Sequence, residues 1–190
     1  MPRLTIHAAL LAAALLCGAA FAQVSESVHV GGNVANPLDL TVSDLRTMPR
    51  HQMDDVRKIR DADGKPQAGE PARRRYVGVR LRELLDCAFP TEPKRHDLRR
   101  SIVVVTATDG YQAVFSWAEL YLSPIGDGAL VYYERDGKPL DDREGRIALV
   151  SLQDTSRGAR HVRSVQRIEI RRIDDAPRAT DAGTGTPQQK

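Results

Sequence analysis

Cysteine is almost absent from this chain of 190 residues, which contains only Cys17 and Cys87. Cys17 lies in an N-terminal segment that we expect to be removed, so one thiol remains in the mature protein. A single thiol excludes an internal disulfide, even in an oxidising compartment. The hydrophobic core alone must therefore hold the fold, and a domain of about 150 residues buries enough surface for that.

The chain also lacks a strong excess of charge and is poor in aromatic residues, which make up 5% of it. It has 28 basic and 25 acidic residues, and removal of Arg3 with the N-terminal segment leaves a net charge of 27 − 25 = +2. Such a balance does not concentrate nucleic acid or anionic lipid. We interpret the basic runs 73–75, 99–100 and 171–172 as solvated faces, because aromatic stacking partners are scarce beside them. We expect no nucleic-acid partner.

Long apolar runs are missing except at the N-terminus. Residues 1–22 combine one positive charge (Arg3), an apolar run at 8–20 and a small-residue exit, Ala20-Phe21-Ala22. This pattern is typical of a cleaved Sec-type signal peptide, and the run is too short for a membrane span, which needs about 20 residues. The alternative, a lipoprotein modified at Cys17, is disfavoured by the bulky Leu16. We therefore expect a periplasmic protein without a membrane span.

Hydrophobic periodicity predicts an α+β domain that is mostly β, with short helices at its edges. A continuous β-branched run at 101–106 predicts a strand covered on both faces. Segments 52–59 and 74–79 are expected to form an extended hairpin with its tip at 61–72. Ser43 is the predicted N-cap of a short helix that Pro49 ends. Further strands are predicted at 24–34, 38–42, 111–116, 129–133, 147–152 and 165–173, and helices at 79–89 and 117–122.

The last 17 residues, 174–190, contain no large apolar side chain. Such a segment cannot offset the entropy cost of ordering, so we predict a disordered tail. The expected organisation is a signal peptide at 1–22, one domain at 23–173 and the tail at 174–190.

Five motifs occur in an order that resembles one known family. The first is Gly32-Asn33-Val34 followed by Pro37, Leu40 and Leu45, and the second is Tyr76, Gly78, Val79, Leu81, Leu84 and Leu85. The remaining three are Thr108-Asp109-Gly110-Tyr111, Asp136-Gly137-Lys138-Pro139-Leu140 and Ala159-Arg160-His161-Val162-Arg163. In this order they are similar to the molybdopterin-binding domain of sulfite-oxidase-like oxidoreductases. Each motif alone is a turn with a strand that many folds contain.

The resemblance implies a sulfite-oxidase-like fold, oxidoreductase ancestry and molybdopterin as the cofactor to consider. In that family the segment matching 157–163 lies beside the pterin and provides donors to its phosphate end. The candidate cofactor-binding residues are therefore Arg157, Arg160, His161 and Arg163, since arginine suits bidentate phosphate contacts. The alternative is that these residues form a solvated basic loop.

The chain departs from the family at the metal. Active members hold molybdenum through a cysteine thiolate, whereas the remaining thiol here, Cys87, is predicted to be a partly buried packing residue at the end of a helix. Ser151-Leu152-Gln153-Asp154 stands where the family usually has a Pro-Gly turn. Ser164 stands where sulfite oxidases commonly have an aromatic residue. The N-terminus also lacks the Arg-Arg pair of a leader that exports folded proteins with their cofactor. We therefore predict no catalytic and no metal-binding residue.

Three functions remain open from the sequence. The chain either binds a pterin or small anion at 157–163 and assists a periplasmic redox partner, or it is a non-catalytic descendant that binds a ligand or a protein. The third is a thiol-based redox role for Cys87.

Overall fold

The computed structural model describes residues 24–57, 73–91, 97–156 and 158–173. The predicted signal peptide at 1–22, the hairpin tip at 61–72, the tail at 174–190 and Arg157 lie outside these residues. The described part contains two β-sheets and a few short helices, as the mostly-β α+β prediction required.

The first sheet has five strands and mixed direction. Its strands are β1 (Ser27–Gly32), β2 (Leu38–Thr41), β5 (Ser101–Ala107), β6 (Gln112–Ser116) and β11 (Val165–Arg172). Their order across the sheet is β2-β1-β11-β5-β6. β1 pairs with β11 in parallel, and the other neighbours are antiparallel. β5 lies between β11 and β6 and is covered on both faces, as its continuous apolar run predicted.

The second sheet is antiparallel throughout the described residues. It contains β3 (His51–Asp55), β4 (Arg74–Arg80), β7 (Ala129–Arg135), β8 (Lys138–Pro139), β9 (Ala148–Ser151) and β10 (His161–Val162). The order is β10-β9-β7-β4-β3, with β8 attached to β7. β3 and β4 pair from His51 opposite Gly78 to Asp55 opposite Arg74, which confirms the predicted hairpin arms.

The main core includes side chains from both sheets, and the second sheet is also buried on its other face. Alternation along β7 sends Val131 into the main core, whereas Tyr132 belongs to a second apolar cluster. β9 divides in the same way, with Leu149 in the main core and Val150 in the second cluster. The second cluster consists of Tyr76, Leu130, Tyr132, Leu140, Ala148 and Val150. The candidate site is built beside it.

Within the described residues, four short α-helices and one 3-10 turn connect the strands. They are α1 (Val42–Thr47), α2 (Leu81–Ala88), α3 (Trp117–Leu122), α4 (Ile125–Gly128) and the 3-10 turn Asp97–Arg100. In the part of the chain that the structure covers, no helix has the length and apolar character needed to cross a bilayer.

The prediction that Ser43 caps α1 was wrong, because the N-cap is Thr41. Thr41 Oγ1 accepts a hydrogen bond from the Asp44 amide at 3.3 Å, and Asp44 Oδ2 accepts one from the Thr41 amide at 2.8 Å. This reciprocal capping box satisfies two backbone donors. It extends the helix two residues upstream of the position that the sequence pattern suggested.

The sheets contain one close approach between strands and one register shift that affect which side chains can be accommodated. At Gly78 the backbone of β4 approaches β7 so closely that an added Cβ would lie 2.1 Å from the Val131 carbonyl oxygen. Val165 lies three residues before Ile168, so in a regular strand the two side chains would face opposite sides and Val165 would be out of step. In β11 the register shifts between Val165 and Arg167, and both residues are buried.

Candidate functional site

The basic segment that ends in β10 is fixed to both sheets. His161 and Val162 pair with Val150 and Leu149 of β9. Tyr111, the tyrosine of the motif 108–111, donates a hydrogen bond from its hydroxyl to the Ala159 carbonyl oxygen at 2.7 Å. Two of the motifs recognised in the sequence therefore contact each other directly.

Arg160 is engaged by two carboxylates of the chain itself. Its Nε and Nη2 donate to Asp154 at 3.0 and 2.5 Å, and its Nη1 donates to Glu119 Oε1 at 2.9 Å. The guanidinium also lies 4.7 Å from the centroid of the Phe115 ring, which is cation–π distance. The Arg160 side chain is 18% exposed. Burial lowers its pKa, but the hydrogen bonds and charges of Asp154 and Glu119 outweigh that effect and raise it.

Glu119 connects this arrangement to the start of α3. Its Oε2 accepts a hydrogen bond from the Ser116 amide at 2.7 Å, while Ser116 Oγ accepts one from the Glu119 amide at 3.1 Å. One carboxylate thus closes a capping box and pairs with Arg160. Burial raises the pKa of Glu119. The hydrogen bonds from Ser116 and Arg160 lower it by more, so the pKa of Glu119 lies below its ordinary value.

His161 turns inward to a buried network around Glu144, which is 3% exposed. His161 Nε2 lies 2.5 Å from Glu144 Oε1, and the Tyr132 hydroxyl donates to the same oxygen. The Tyr132 oxygen is also 3.0 Å from His161 Nε2, and Arg135 Nη1 donates to Glu144 Oε2 at 2.8 Å.

The network changes the acidity of two of its members. Desolvation raises the pKa of Glu144, but the hydrogen bonds from His161 and Tyr132, together with the positive charge of Arg135, lower it to about 2. Desolvation and the negative charge of Glu144 raise the pKa of Tyr132. Glu144 is therefore a permanent negative charge at neutral pH, and Tyr132 is a neutral donor.

Arg163 lies at the outer edge of the Glu144 network and does not take part in the Arg160 arrangement. Its side chain is 63% exposed, and its Nε lies 3.7 Å from Glu144 Oε2. It lines an open concavity of about 420 Å³ together with Arg74, Arg135 and Arg143. The other lining residues are Asp136, Asp141 and Glu144. We call this concavity the arginine basin.

The structure therefore does not bring the predicted site residues to one point. Arg160 lies with Asp154 and Glu119, His161 lies with Glu144, and Arg163 lies at the arginine basin. Beside Arg160 and His161 the described residues leave a cavity of only about 20 Å³, whereas sites for small molecules measure roughly 300–1,000 Å³. Arg157 lies outside the described residues.

Sequence reasoning missed the arginine basin because its residues come from distant segments. Arg74 belongs to the run 73–75, which we interpreted as a solvated face. Its neighbours Arg73 and Arg75 do pair with Asp54, at 2.5 and 3.2 Å, whereas Arg74 lines the concavity on β4. No spacing in the sequence indicates that Arg74 meets Arg143 and Arg163.

Arg57 was also missed, and it organises the turn that holds Asp154. It donates to Asp55 through Nε at 2.9 Å and, through Nη1, to the carbonyl oxygens of Ser151 and Asp154 at 2.7 and 3.1 Å. This turn is the segment where the sequence departs from the family's Pro-Gly turn. Asp154, which belongs to this divergent turn, thus provides the carboxylate that pairs with Arg160.

Cys87 is exposed, so the prediction of a partly buried packing residue was wrong. The buried stripe of α2 consists of Leu81, Leu84, Leu85 and Ala88, and position 87 falls beside that stripe on the solvent side. Cys87 does not line the cavities at Arg160 or at Arg163. Among the described residues no group of three or more His, Cys, Asp or Glu side chains has the arrangement of a metal site.

Comparison with known proteins agrees with this architecture. The sequence profile described as oxidoreductase molybdopterin binding domain matches residues 21–177. The chain belongs to this family. A comparison with curated protein sequences finds no match.

Among solved structures, the domain is similar to the sulfane dehydrogenase SoxCD from Paracoccus pantotrophus, with a TM-score of 0.55 and 18% sequence identity. The match covers 78% of this chain and 39% of that chain. At this identity the likeness establishes the sulfite-oxidase-like molybdopterin-binding fold, which confirms the resemblance seen in the sequence. This chain spans well under half of the SoxCD chain that it matches.

The described residues do not fit a complete molybdenum centre. Cys87 lies on the exposed side of α2, away from the predicted cofactor segment, and the guanidinium of Arg160 is already engaged by Asp154 and Glu119. What the described residues do offer is a concavity of ligand size at Arg163 that is lined by four arginines and three carboxylates.

Proposed function

We propose that this protein is an exported, non-catalytic binding module of the molybdopterin-binding fold that takes up a small anionic ligand. The observation that supports it is the pairing of Arg160 with Asp154 and Glu119. In the family the matching segment contacts the cofactor. Here the guanidinium of Arg160 in that segment instead forms ion pairs with two carboxylates of the chain. Anion binding is then left to Arg163 and the arginine basin.

Export is part of the proposal and rests on the N-terminal pattern. A Sec substrate crosses the membrane unfolded, so it would reach the periplasm without a preassembled cofactor. The same reasoning places any ligand uptake after export, in the periplasm.

The experiment is elemental and pterin analysis of the protein purified from its native host. We expect the mature N-terminus at Gln23, recovery in the periplasmic fraction, and neither molybdenum nor oxidised-pterin fluorescence above that of an unrelated exported protein prepared alongside. Stoichiometric molybdenum or pterin would overturn the proposal.

A second function, binding a pterin and assisting a periplasmic redox partner, is favoured by family membership and by the exposure of Arg163 at the arginine basin. It predicts pterin in the native protein, lost on Arg160→Ala. Because that substitution also removes an internal ion pair, Arg163→Ala provides the cleaner variant. Loss of pterin in both variants, with each still folded, would select this second function.

A further inference from the structure

The arginine basin brings four arginines and three carboxylates to one concavity, and among the residues that the structure describes most of its guanidiniums have no close ion pair. Several arginines elsewhere on the surface pair with nearby carboxylates, as Arg82 does with Asp127 at 2.9 Å and Arg171 with Glu169 at 2.6 Å. In the basin, only Arg135 has a close ion pair, at 2.8 Å from Glu144, and Arg163 is 3.7 Å from the same carboxylate. Within the described residues no ion pair engages Arg74 or Arg143.

The carboxylates that line the basin have structural tasks. Asp136 Oδ1 accepts a hydrogen bond from the Arg75 amide at 2.8 Å, and Asp141 Oδ1 accepts one from the Glu144 amide at 3.0 Å. Glu144 is buried in its network with His161 and Tyr132. These acids hold the turns around the basin, and they leave three guanidiniums without a close carboxylate partner.

The basin is also large enough to hold a small molecule. Its volume of about 420 Å³ lies within the range of small-molecule sites, roughly 300–1,000 Å³. A second concavity of about 350 Å³ shares Arg135, Asp136 and Asp141 with it and adds the cation Lys138. The two concavities therefore adjoin at these three shared residues.

The guanidiniums of the basin come from three separate segments of the chain, and this arrangement indicates which chemical group a ligand would present. Arg74 begins β4, Arg143 lies in the loop before β9, and Arg163 follows β10, so three separate segments present donors to one space. A carboxylate has two acceptor oxygens, whereas a phosphate or sulfate group has at least three and can receive donors from all three segments.

We propose that the arginine basin binds a small organic anion through a tetrahedral oxyanion group, of the phosphate or sulfate type. This deepens the function proposed above by naming a ligand class, and it rests on that function only for its biological role. The binding itself is a property of the described surface.

Isothermal titration calorimetry on the purified full chain at low ionic strength tests the proposal, with pyrophosphate, inorganic phosphate, sulfate and citrate as separate probes. We expect saturable one-to-one binding of pyrophosphate, and weaker binding of phosphate and sulfate. The phosphate and sulfate titrations tell the two oxyanions apart. Binding should weaken steeply with added salt, because exposed charges are screened within about 10 Å at 0.1 M.

The decisive variant combines Arg143→Ala and Arg163→Ala, two exposed side chains whose removal should leave the fold intact. We expect pyrophosphate affinity to fall at least about tenfold, since each lost charge-assisted bond is worth more than that factor. The matched control combines Arg50→Ala and Arg99→Ala, which remove the same charge from exposed positions outside the basin.

Three results would overturn the proposal: no saturable binding, an equal loss in the control variant, or tighter binding of citrate than of pyrophosphate. Finding molybdenum or pterin in the native protein would instead reject the function proposed above and leave these titrations unaffected. The two failures are therefore distinguishable.

Discussion

Glu144 and His161 form a short contact, 2.5 Å between Oε1 and Nε2, that joins the loop before β9 to β10. The carboxylate is 4% exposed, and its pKa is lowered to about 2 from an ordinary value of 4.5. A depressed folded-state pKa means that the ionised carboxylate stabilises the folded protein. This stabilisation is complete above pH 4.5 and is lost as the pH falls toward 2.

The first prediction concerns this acid dependence. Between pH 5 and pH 2 the wild type should lose about 3 kcal/mol more of its free energy of unfolding than Glu144→Gln, whose side chain does not titrate. Urea unfolding at several pH values measures the difference. Asp142→Asn is the control, because Asp142 is 76% exposed and its curve should follow the wild type. Parallel curves for wild type and Glu144→Gln would contradict the assignment.

The second prediction separates a structural role of Arg160 from a ligand-binding role. Arg160→Ala leaves Asp154 and Glu119 without their partner in a partly buried setting, so the free energy of unfolding should fall by about 2–3 kcal/mol. Arg171→Ala, which breaks an exposed pair with Glu169, should cost less than about 1 kcal/mol. Both values come from urea unfolding at neutral pH.

A double-mutant cycle makes this test specific. Asp154→Asn should destabilise less when Arg160 is already alanine, because the two residues act as one unit. Additive losses would show that they act independently. Pyrophosphate affinity should stay within twofold of wild type in Arg160→Ala, since Arg160 does not line the arginine basin.

The third prediction tests the close approach of β4 and β7. Gly78→Ala places a Cβ 2.1 Å from the Val131 carbonyl oxygen, so the strands must separate, and we expect a loss of about 3 kcal/mol or more. Gly137→Ala is the control, because nothing lies within 4 Å of its Cβ and only its φ of 78° opposes alanine. That variant should lose about 1 kcal/mol. Equal losses in thermal or urea unfolding would refute the packing argument.

The fourth prediction concerns the remaining thiol. Cys87 is exposed on α2 and outside the buried stripe, so Cys87→Ser should change the free energy of unfolding by less than about 0.5 kcal/mol. The native thiol should react with Ellman's reagent in the folded protein without denaturant. Protection of the thiol, or a large loss of stability in the variant, would place Cys87 in a packed environment.

Much of the scaffold was readable from local patterns. The β-branched run at 101–106 predicted a doubly covered strand, and the segments 52–59 and 74–79 on either side of a turn-rich stretch predicted two strands that pair. The order of five short motifs indicated the family. These features depend on neighbouring residues along the chain, where periodicity and turn chemistry act directly.

Some local details could not be read because two residues competed for one role. Thr41 and Ser43 both have hydroxyl groups suited to an N-cap, and only the reciprocal bond with Asp44 selects Thr41. Val165 appeared out of step because a register shift cannot be seen in one strand alone. Cys87 was predicted to be partly buried because it lies at the edge of an apolar stripe, and only the packing of α2 shows that it faces solvent.

The sequence by itself determined most of the strands, the turns at Asp109-Gly110 and Asp136-Gly137, and the family to which the domain belongs, since each depends on residues close together in the chain. It did not predict the two-residue strands β8 and β10. Only the tertiary structure decided how the basic side chains are used. Arg160 meets Asp154 and Glu119, whereas Arg163 joins Arg74 and Arg143, because strand pairing brings together residues that are up to 89 positions apart. Such a meeting depends on the order of strands within a sheet and on the loops that flank them, and no local pattern encodes it.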